Sequence, residues 1–457
     1  MGKFIERNLS GWAQYPSRTG RAYRPEKVQG IADILHHREE HSYIGRGMGR
    51  SYGDAALNEG GGLILTQRIQ RFLAFDPSTG VLTCEAGVTL ERILQVLVPR
   101  GWFLPVTPGT KFVTIAGAVA CDVHGKNHHT DGSLSNFVVS LDLLLADGRF
   151  LNCSREENSD LFWATLGGMG LTGMILAVTL RLRRIDSAFI QVDYRRTRDL
   201  DETMWLLEDQ DQQHTYSVAW VDGLASGRHL GRSVVIHGDH AGLQDLSSRQ
   251  RATPLDFGHR RCWSVPFQFP GFVLNRLSVG AFNGLYYRRF RGSHSRAIVD
   301  YDRFFYPLDS VHKWYRMYGK HGFVQYQCVI PFETSPAALA EILEHLIGDG
   351  VPSYLVVLKR FGEETGMISF PRPGYTLAMD IPVSGSQLFS SLGKLDRCVV
   401  NHGGRVYLGK DACLSAESFR EMYPHCREWL NLKREFDPEN VFSSNLSRRL
   451  RIGGAGG

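Results

Sequence analysis

The stretch from Pro108 to His129 combines small residues that admit a ligand with polar residues that can react with one. Its small residues are Gly109, Thr110, Thr114, Ala116, Gly117, Ala118 and Ala120. Glycine costs conformational entropy on folding, so such a run favours close approach of a ligand over a simple structural turn. Asp122, His124 and Lys126 follow and supply charge and hydrogen bonds. We therefore predict that this stretch contacts a bound molecule.

A second glycine-rich run spans Gly45–Asp54 and reads Gly-Arg-Gly-Met-Gly-Arg-Ser-Tyr-Gly-Asp. A turn of this composition can present its backbone N–H groups to a pyrophosphate. It does not match the dinucleotide fingerprint, since Arg50 stands where the third glycine would be. A strand-connecting turn with a solvated arginine explains these residues equally well, so both interpretations stay open at this point.

The segment Gly168–Gly173 does match the GxGxxG pattern. A nicotinamide site needs a strand before these glycines and a helix after them. Here a predicted helix precedes, and the alternating run from Met174 to Leu182 predicts a strand after them. We therefore interpret the segment as a glycine corner that leads into a strand beside a bound ligand.

Near the C-terminus, Gly403–Asp411 places Lys410 at the end of a predicted strand. A lysine is protonated near neutral pH, but burial can lower its pKa enough for it to act as a base. The alternative is an ordinary surface lysine paired with Asp411. His128 and His129 lack a convincing third ligand in the sequence, so we predict no metal site.

Hydrophobic periodicity supplies the elements that must position these motifs. In the first part we predict a helix within Pro25–His37, strands at Ser42–Ile44, Gly62–Leu65, Phe72–Asp76 and Phe137–Leu145, and a helix from Thr89 to Leu97. From about residue 188 to 404 the chain predicts a second α+β domain on an antiparallel sheet. Its predicted elements are His214–Val221, Ser233–His237, Gly322–Pro331, Ala337–Ile347, Tyr354–Phe361, Tyr375–Ile381 and Gln387–Asn401.

The segment 262–291 is predicted to be long, irregular and apolar. Two explanations account for an apolar loop of this length: it forms a seam between subdomains, or it forms a lid or a membrane-facing surface. Its arginines, Arg276, Arg288, Arg289 and Arg291, would lie near anionic groups in the second case. Both explanations stay open.

The composition is that of an ordinary globular protein, with 43% hydrophobic and 22% charged residues. A net charge of +5 without runs of like charge does not indicate nucleic-acid binding, but leaves anionic substrates and membrane surfaces open. Eight scattered cysteines argue against zinc sites and a disulfide framework, and favour a reduced, cytoplasmic protein. No apolar stretch is long enough to predict a signal peptide or a membrane span.

Four motifs together, Gly45–Asp54, Pro108–Thr110, Ala118–His129 and Gly167–Gly173, resemble the FAD-binding fold of the vanillyl-alcohol oxidase superfamily. Within it, the chain is most similar to the decaprenylphosphoryl-β-D-ribose 2-oxidase family. The resemblance implies an α+β flavoprotein of two domains, with an FAD-binding domain at 1–187 and a substrate domain on an antiparallel sheet at 188–404. Residues 405–457 would then return to the FAD domain.

Residue by residue, the resemblance implies the following contacts. The flavin side comprises Gly45, Arg46, Gly47, Met48, Gly49, Arg50, Ser51, Tyr52, Gly53, Asp54, Pro108, Gly109, Thr110, Thr114, Gly117, Ala118, His124, Gly125, Gly173, Ile175 and Tyr407. The substrate side comprises Tyr52, Lys126, Gln325, Gln327, Lys359 and Thr376, and the catalytic group comprises Lys410, Tyr407, Gln327 and Lys126.

Two departures from the relatives matter. Where the family has Asn-Ile-Cys-Val-Asp, this chain has Thr376-Leu-Ala-Met-Asp380. The chemistry should survive this, since neither replaced residue transfers a proton or hydride. Where many lactone and alditol oxidases attach the flavin covalently to a histidine, this chain has Arg50, so we expect non-covalent FAD.

The implied reaction is FAD-dependent oxidation of the 2-hydroxyl of a polyprenylphosphoryl-β-D-ribose to the 2-keto sugar, the first half of epimerisation to an arabinose donor for cell-envelope polysaccharide. An NAD(P)H-dependent short-chain reductase would complete it, and the enzyme could sit on the inner face of the cell membrane. A sugar-lactone or alditol oxidase with a soluble substrate and a non-catalytic flavin-binding scaffold are the alternatives.

Overall fold

The computed structural model describes residues 4–258, 262–290, 294–351, 353 and 355–453. Arg291 and the predicted strand start at Tyr354 lie outside the described residues. None of the helices within the described ranges combines the length and the apolar character that crossing a lipid bilayer requires.

The α-helices are α1 (Val28–His37), α2 (Leu90–Leu97), α3 (Ile115–Ala120), α4 (His128–Asp131), α5 (Ser159–Thr165), α6 (Leu200–Asp209), α7 (Ser248–Ala252), α8 (Arg276–Arg289), α9 (Tyr301–Phe305), α10 (Ser335–Gly348), α11 (Ser386–Asn401), α12 (Ala416–Met422), α13 (Cys426–Phe436) and α14 (Asn445–Arg449).

The strands of the first part are β1 (Phe4–Ser10), β2 (Ser17–Tyr23), β3 (Tyr43–Arg46), β4 (Gly62–Leu65), β5 (Phe72–Asp76), β6 (Val81–Glu85), β7 (Trp102–Phe103), β8 (Val138–Leu144), β9 (Phe150–Ser154), β10 (Met174–Arg181) and β11 (Arg183–Arg184). The later strands are β12 (Phe189–Thr197), β13 (Tyr216–Val221), β14 (Ser233–His240), β15 (Trp263–Ser264), β16 (His294–Asp300), β17 (Val311–His312), β18 (Phe323–Ile330), β19 (Val356–Phe361), β20 (Gly374–Pro382) and β21 (Arg405–Val406).

Most strands of the first part form two sheets that pack on each other, while β7 and β11 pair separately. One has the strand order β1-β2-β4-β3, and the other has the order β5-β6-β10-β8-β9 with antiparallel neighbours. Tyr43 and Ile64 of the first sheet pack with Leu144 and Met174 of the second in one buried apolar cluster. Short polar side chains set the helix starts nearby, since Thr114 Oγ1 accepts the Gly117 N–H at 3.3 Å and so caps α3.

The second part forms an eight-stranded sheet with the order β16-β12-β14-β13-β19-β20-β18-β21. Its neighbouring strands are antiparallel. Residues paired across antiparallel strands share a face, so the register Gln325↔Asp380, Gln327↔Ala378 and Val357↔Ala378 places these side chains on one face. Helices α6, α10 and α11 pack on the sheet and contribute to its largest apolar core.

The predicted fold class is confirmed, and most predicted elements are present, but the segment 262–291 is not irregular. It contains the 14-residue helix α8. The Asn275 side chain accepts the N–H groups of Leu277 and Ser278 and caps this helix. Apolar residues occur on several of its sides, so the one-faced periodicity that predicts a helix is missing. Strand β12 was also not predicted.

The C-terminal segment lies against the first part of the chain. The Tyr43 N–H donates to the Val441 carbonyl at 2.6 Å, and Phe442 packs into the cluster that joins the first two sheets. Helix α14 carries Arg449 back to the glycine-rich run, where its guanidinium pairs with Asp54. Both ends of the chain therefore build the same region.

Candidate active site

One large cavity, of about 1030 Å³, lies between the first part of the chain and one face of the eight-stranded sheet. The glycine-rich run and the stretch from Thr107 to Lys126 form one wall. Gln325, Gln327 and Lys359 come from the sheet, and Tyr407 and Lys410 come from the turn after β21. The volume suits a cofactor together with a substrate.

Most residues expected on the flavin side line this cavity. They are Gly45, Arg46, Gly47, Met48, Gly49, Arg50, Ser51, Tyr52, Pro108, Gly109, Thr110, Thr114, Gly117, Ala118, His124, Gly125, Gly173, Ile175 and Tyr407. A Cβ added to Gly47 would lie 2.2 Å from Thr114 Oγ1, so a side chain there would displace the cap of α3. Glycine is therefore required where the two motifs meet.

Gly53 and Asp54 were expected among the cofactor contacts, but they lie behind the cavity wall. A Cβ on Gly53 would come within 1.7 Å of the Asp411 carbonyl oxygen, so this glycine serves packing. Asp54 receives a two-pronged hydrogen bond from Arg449, at 2.7 and 3.1 Å. Arg449 also contacts Asp411 at 2.9 Å. This Asp54–Arg449–Asp411 group ties the glycine-rich run to the turn that carries Lys410.

Three lysine side chains converge on the cavity, and burial lowers the pKa of each. Burial lowers the pKa of Lys410 to about 8 and that of Lys126 to about 8. Burial and the charges of Lys410 and Lys126 hold the pKa of Lys359 well below its ordinary value. Three cations in one apolar space repel each other, and an anion bound among them would relieve that repulsion.

Lys410 has the surroundings that a base requires. Its Nζ lies 5.6 Å from the ring centroid of Tyr52, and Asp380 raises its pKa against the larger effect of burial. Burial raises the pKa of Asp380 to about 7, while hydrogen bonds from Gln325 Nε2 and the Tyr318 hydroxyl favour its charged form. Lys410 is therefore poised to change protonation near neutral pH. The alternative pairing with Asp411 is absent, since Asp411 contacts Arg449.

A chain of hydrogen bonds fixes the orientation of Gln327. The Thr376 hydroxyl donates to the Cys328 carbonyl at 2.8 Å, so its oxygen accepts from Gln327 Nε2 at 2.9 Å. The same amide nitrogen donates to His124 Nε2 at 3.0 Å. Burial, followed by the charge of Lys359, holds the pKa of His124 well below its ordinary value, so the ring is neutral and its proton lies on Nδ1.

Thr376 was expected to contact the substrate, but it is fully buried and stands behind Gln327. Ala378 and Asp380, two and four residues further along β20, occupy the cavity wall instead. Tyr407 is likewise fixed, because its hydroxyl donates to the Cys121 carbonyl at 2.8 Å. This contact joins the turn of Lys410 to the stretch Pro108–His129.

Several buried polar atoms on the cavity wall lack a hydrogen-bond partner among the described residues. They are His124 Nδ1, Gln325 Oε1, Gln327 Oε1 and Arg50 Nε. Buried polar groups are normally paired, so these atoms fit a polar ligand that supplies both donors and acceptors, as a flavin does. Arg50 lies over the Trp12 ring at 4.3 Å, where the covalent flavoproteins would need a histidine.

His128 and His129 contact other residues of the protein. His128 Nδ1 accepts the Gly362 N–H at 3.1 Å, so its proton lies on Nε2 and faces Ser133 Oγ at 3.2 Å. His129 lies 3.2 Å from Asp211. Away from the cavity, Glu341, Cys398 and His402 place potential ligand atoms within 4.8 Å of one another on α10 and at the end of α11.

The sequence indicated neither Asp380 as a partner of Lys410 nor the apolar part of the cavity. The alternation of β20 would have placed Asp380 on the same face as Thr376. The apolar part, which includes Val218, Trp220 and Ile236, comes from strands distant in sequence from the motifs. No local pattern distinguishes those side chains from ordinary core residues.

Comparison with known families identifies two regions of the chain. Residues 21–154 match the FAD binding domain family, and residues 385–450 match the D-arabinono-1,4-lactone oxidase family. The first match covers the glycine-rich run and the stretch Pro108–His129. FAD is therefore the cofactor.

Whole-chain comparison extends this likeness. The chain is 38% identical to the decaprenylphosphoryl-β-D-ribose oxidase of Mycolicibacterium smegmatis, over 90% of this chain and 89% of that protein. It is 35% identical to an uncharacterised protein of Streptomyces coelicolor, over 80% of this chain and 100% of that protein. An L-gulono-1,4-lactone dehydrogenase of Mycobacterium tuberculosis is 23% identical over 93% of this chain and 95% of that enzyme.

Proposed function

The chain belongs to the decaprenylphosphoryl-β-D-ribose oxidase family of FAD-dependent oxidoreductases, and from this we propose that it oxidises the 2-hydroxyl of a polyprenylphosphoryl-β-D-ribose to a 2-keto sugar. The observation that carries the proposal is the single cavity in which the flavin wall, a cluster of three lysines and an apolar sheet face are continuous. A ribose, a phosphodiester and a hydrocarbon chain need these three environments in that order.

Oxidation of a secondary alcohol removes a hydride from carbon and a proton from oxygen. FAD, when bound, supplies the acceptor for the hydride and its electron pair. Lys410 Nζ, in its neutral form, takes the hydroxyl proton as the carbonyl bond forms. Gln327 Oε1 and the Tyr52 ring orient the sugar beside Lys410.

Lys126 and Lys359 provide the contact for the phosphodiester. The Lys126 ammonium lies 3.3 Å from the Phe305 carbonyl and 5.3 Å from the ring centroid of Phe304, so packing limits where it can reach. Lys359 shares its strand with the apolar residue Val357. A phosphate here would restore the charge that burial removes from both lysines.

A 2-keto product requires a second enzyme to complete epimerisation. An NAD(P)H-dependent short-chain reductase is the class that would return the keto group to the opposite alcohol configuration. The epimer would be an arabinose donor for cell-envelope polysaccharide. Co-purification of a reductase that consumes the 2-keto lipid, and recovery of the arabinose epimer only when both enzymes are present, would support this partner.

Peripheral contact with the inner face of the cell membrane is part of the proposal. Leu277 and Leu285 of α8 are 85% and 72% exposed, and Arg276 and Arg288 on the same helix would suit anionic lipid. Sedimentation with phosphatidylglycerol vesicles tests this contact. We expect binding that falls in Leu277→Ser/Leu285→Ser and persists in the control Leu73→Ser/Phe150→Ser, which changes exposed apolar residues elsewhere.

A soluble-sugar oxidase is the second candidate, and the match of residues 385–450 to D-arabinono-1,4-lactone oxidase favours it. A substrate panel separates the two functions. We expect turnover of polyprenylphosphoryl ribose, with loss of the lipid-linked alcohol and gain of a 2-keto product by mass spectrometry. Turnover of aldonolactones or alditols with no reaction of the lipid would overturn the proposal.

A further inference from the structure

The cavity-facing side of the eight-stranded sheet is divided into a polar half and an apolar half. Gln325, Gln327 and Asp380 occupy the polar half, on β18 and β20. The other half lies on β13, β14, β12 and β16, and its cavity residues include Val218, Trp220, Ile236 and Ala297. The register Val218↔Ile236 and Trp220↔Val357 places these side chains on the same face of neighbouring strands. We call this half of the cavity the apolar arm.

Helix α8 forms the roof of the apolar arm. The Tyr286 ring lies 4.6 Å from the Trp220 ring, and Phe290, which follows the helix, stacks on Tyr194 at 4.8 Å. Two hydrogen bonds hold the helix over the sheet. Asn283 Nδ2 donates to Asp222 at 2.7 Å, and the Tyr287 hydroxyl donates to the Thr197 carbonyl at 3.0 Å.

The arm begins where the lysine cluster ends. Lys359 and Val357 point to the same face of β19, and two residues along a strand are separated by about 7 Å. A phosphate held by Lys359 would therefore direct its ester chain onto Val357 and Trp220. The arm suits neither a sugar nor a nucleotide, because most of the side chains on its walls are aromatic or aliphatic.

We propose that the apolar arm binds the first isoprene units of the substrate's polyprenyl chain, between the sheet and α8. This rests on the proposed function and assigns a site to the lipid portion of the substrate. The exposed outer side of α8 would lie toward the membrane from which the lipid is drawn, and the covered side would lie on the tail. A helix that is apolar on both sides fits this position.

The test compares two substrates that share the ribosyl phosphate, one esterified with decaprenol and the other with methanol, which lacks isoprene units, in detergent. The wild type should show a kcat/KM for decaprenyl at least about tenfold higher, since buried methylene groups add binding free energy. Ala297→Trp fills the arm and should bring the ratio of the two kcat/KM values close to one. Ser295→Phe, at the same strand's cavity side, is the second variant if the first does not fold.

Arg296→Trp is the matched control, because Arg296 is exposed and points to the opposite face of β16. It should keep the wild-type ratio. A wild type without tail preference, or a filled arm that keeps the full preference, would overturn the assignment of the arm. If the wild type oxidises neither substrate, the proposed function itself fails and the arm assignment falls with it.

Discussion

Gln327 Nε2 lies 3.0 Å from His124 Nε2 and joins strand β18, the neighbour of the edge strand β21, to the stretch that lines the flavin side. Because the amide donates, the neutral imidazole presents an N–H at Nδ1 and Gln327 presents its Oε1, and neither atom has a hydrogen-bond partner in the part of the chain that the structure describes. One hydrogen bond thus prepares a donor and an acceptor on the same cavity wall. The arrangement depends on Thr376, which fixes the amide from behind.

Thr376→Val should lower kcat/KM about tenfold while FAD stays bound, because the Gln327 amide loses the partner that orients it. Thr376→Ser keeps the hydroxyl and should restore most of the activity. Steady-state kinetics with the flavin content of each variant measure both effects. Equal activity in Val and Ser variants would show that the hydroxyl does not orient Gln327.

The pH dependence of kcat/KM should follow Lys410. Below a pH of about 8 the amine carries a proton and cannot accept another, so activity should rise with pH and reach a plateau above that value. Asp380 raises the pKa of Lys410, so Asp380→Asn should move the rising limb to lower pH. A pH–rate profile of both proteins measures this shift. A limb that stays in place would contradict the coupling.

The buried His128 should weaken the protein in acid. Burial lowers its pKa in the folded state to about 3, whereas an unfolded histidine titrates near about 6.5. Between these values the unfolded state binds more protons, so stability falls as pH decreases. At pH 5 the loss is about 2 kcal/mol.

Urea unfolding at pH 7 and pH 5 measures that loss. His128→Asn keeps an acceptor for the Gly362 N–H and removes the titration, so the variant should lose about 2 kcal/mol less than the wild type on acidification. The exposed His36→Asn is the control and should behave as the wild type. An unchanged acid sensitivity in His128→Asn would contradict this account.

Arg449 should fix the position of the glycine-rich run relative to the turn that carries Lys410, because it contacts both Asp54 and Asp411. Arg449→Met leaves two buried carboxylates without a cation and should destabilise the fold by about 3 kcal/mol or more. It should also weaken FAD retention, measured as flavin lost on dialysis and as a lower Tm. Arg451→Met, at a neighbouring exposed arginine, should change neither. FAD retention equal to that of the control would remove the proposed link.

The sequence allows the cofactor wall to be predicted because its constraints are local. The glycines of the run Gly45–Asp54 follow one another closely, and the glycine corner before Met174 is recognisable from its order of helix and strand. The substrate side depends on strand order. Gln327, Lys359 and Asp380 meet only because β18, β20 and β19 are neighbours in the sheet.

Other differences between the expectations from sequence and the structure have equally physical origins. Thr376 was placed on the substrate because spacing does not tell which residue on one strand face reaches the cavity and which is covered. Helix α8 was missed because it is apolar on two sides, one over the apolar arm and one exposed. Because of this distribution the sequence of α8 lacks the one-faced periodicity that predicts a helix. The same distribution supports its role in lipid binding.

The most direct test of the central claim is anaerobic mixing of the FAD-loaded enzyme with polyprenylphosphoryl ribose in a stopped-flow spectrometer. We expect the visible flavin absorbance to bleach as the 2-keto lipid forms. In Lys410→Met, which retains FAD, bleaching should slow by about 10²–10⁴-fold, the range for loss of a general base. Bleaching at the wild-type rate in that variant, or no bleaching of the wild type by the lipid, would contradict the account.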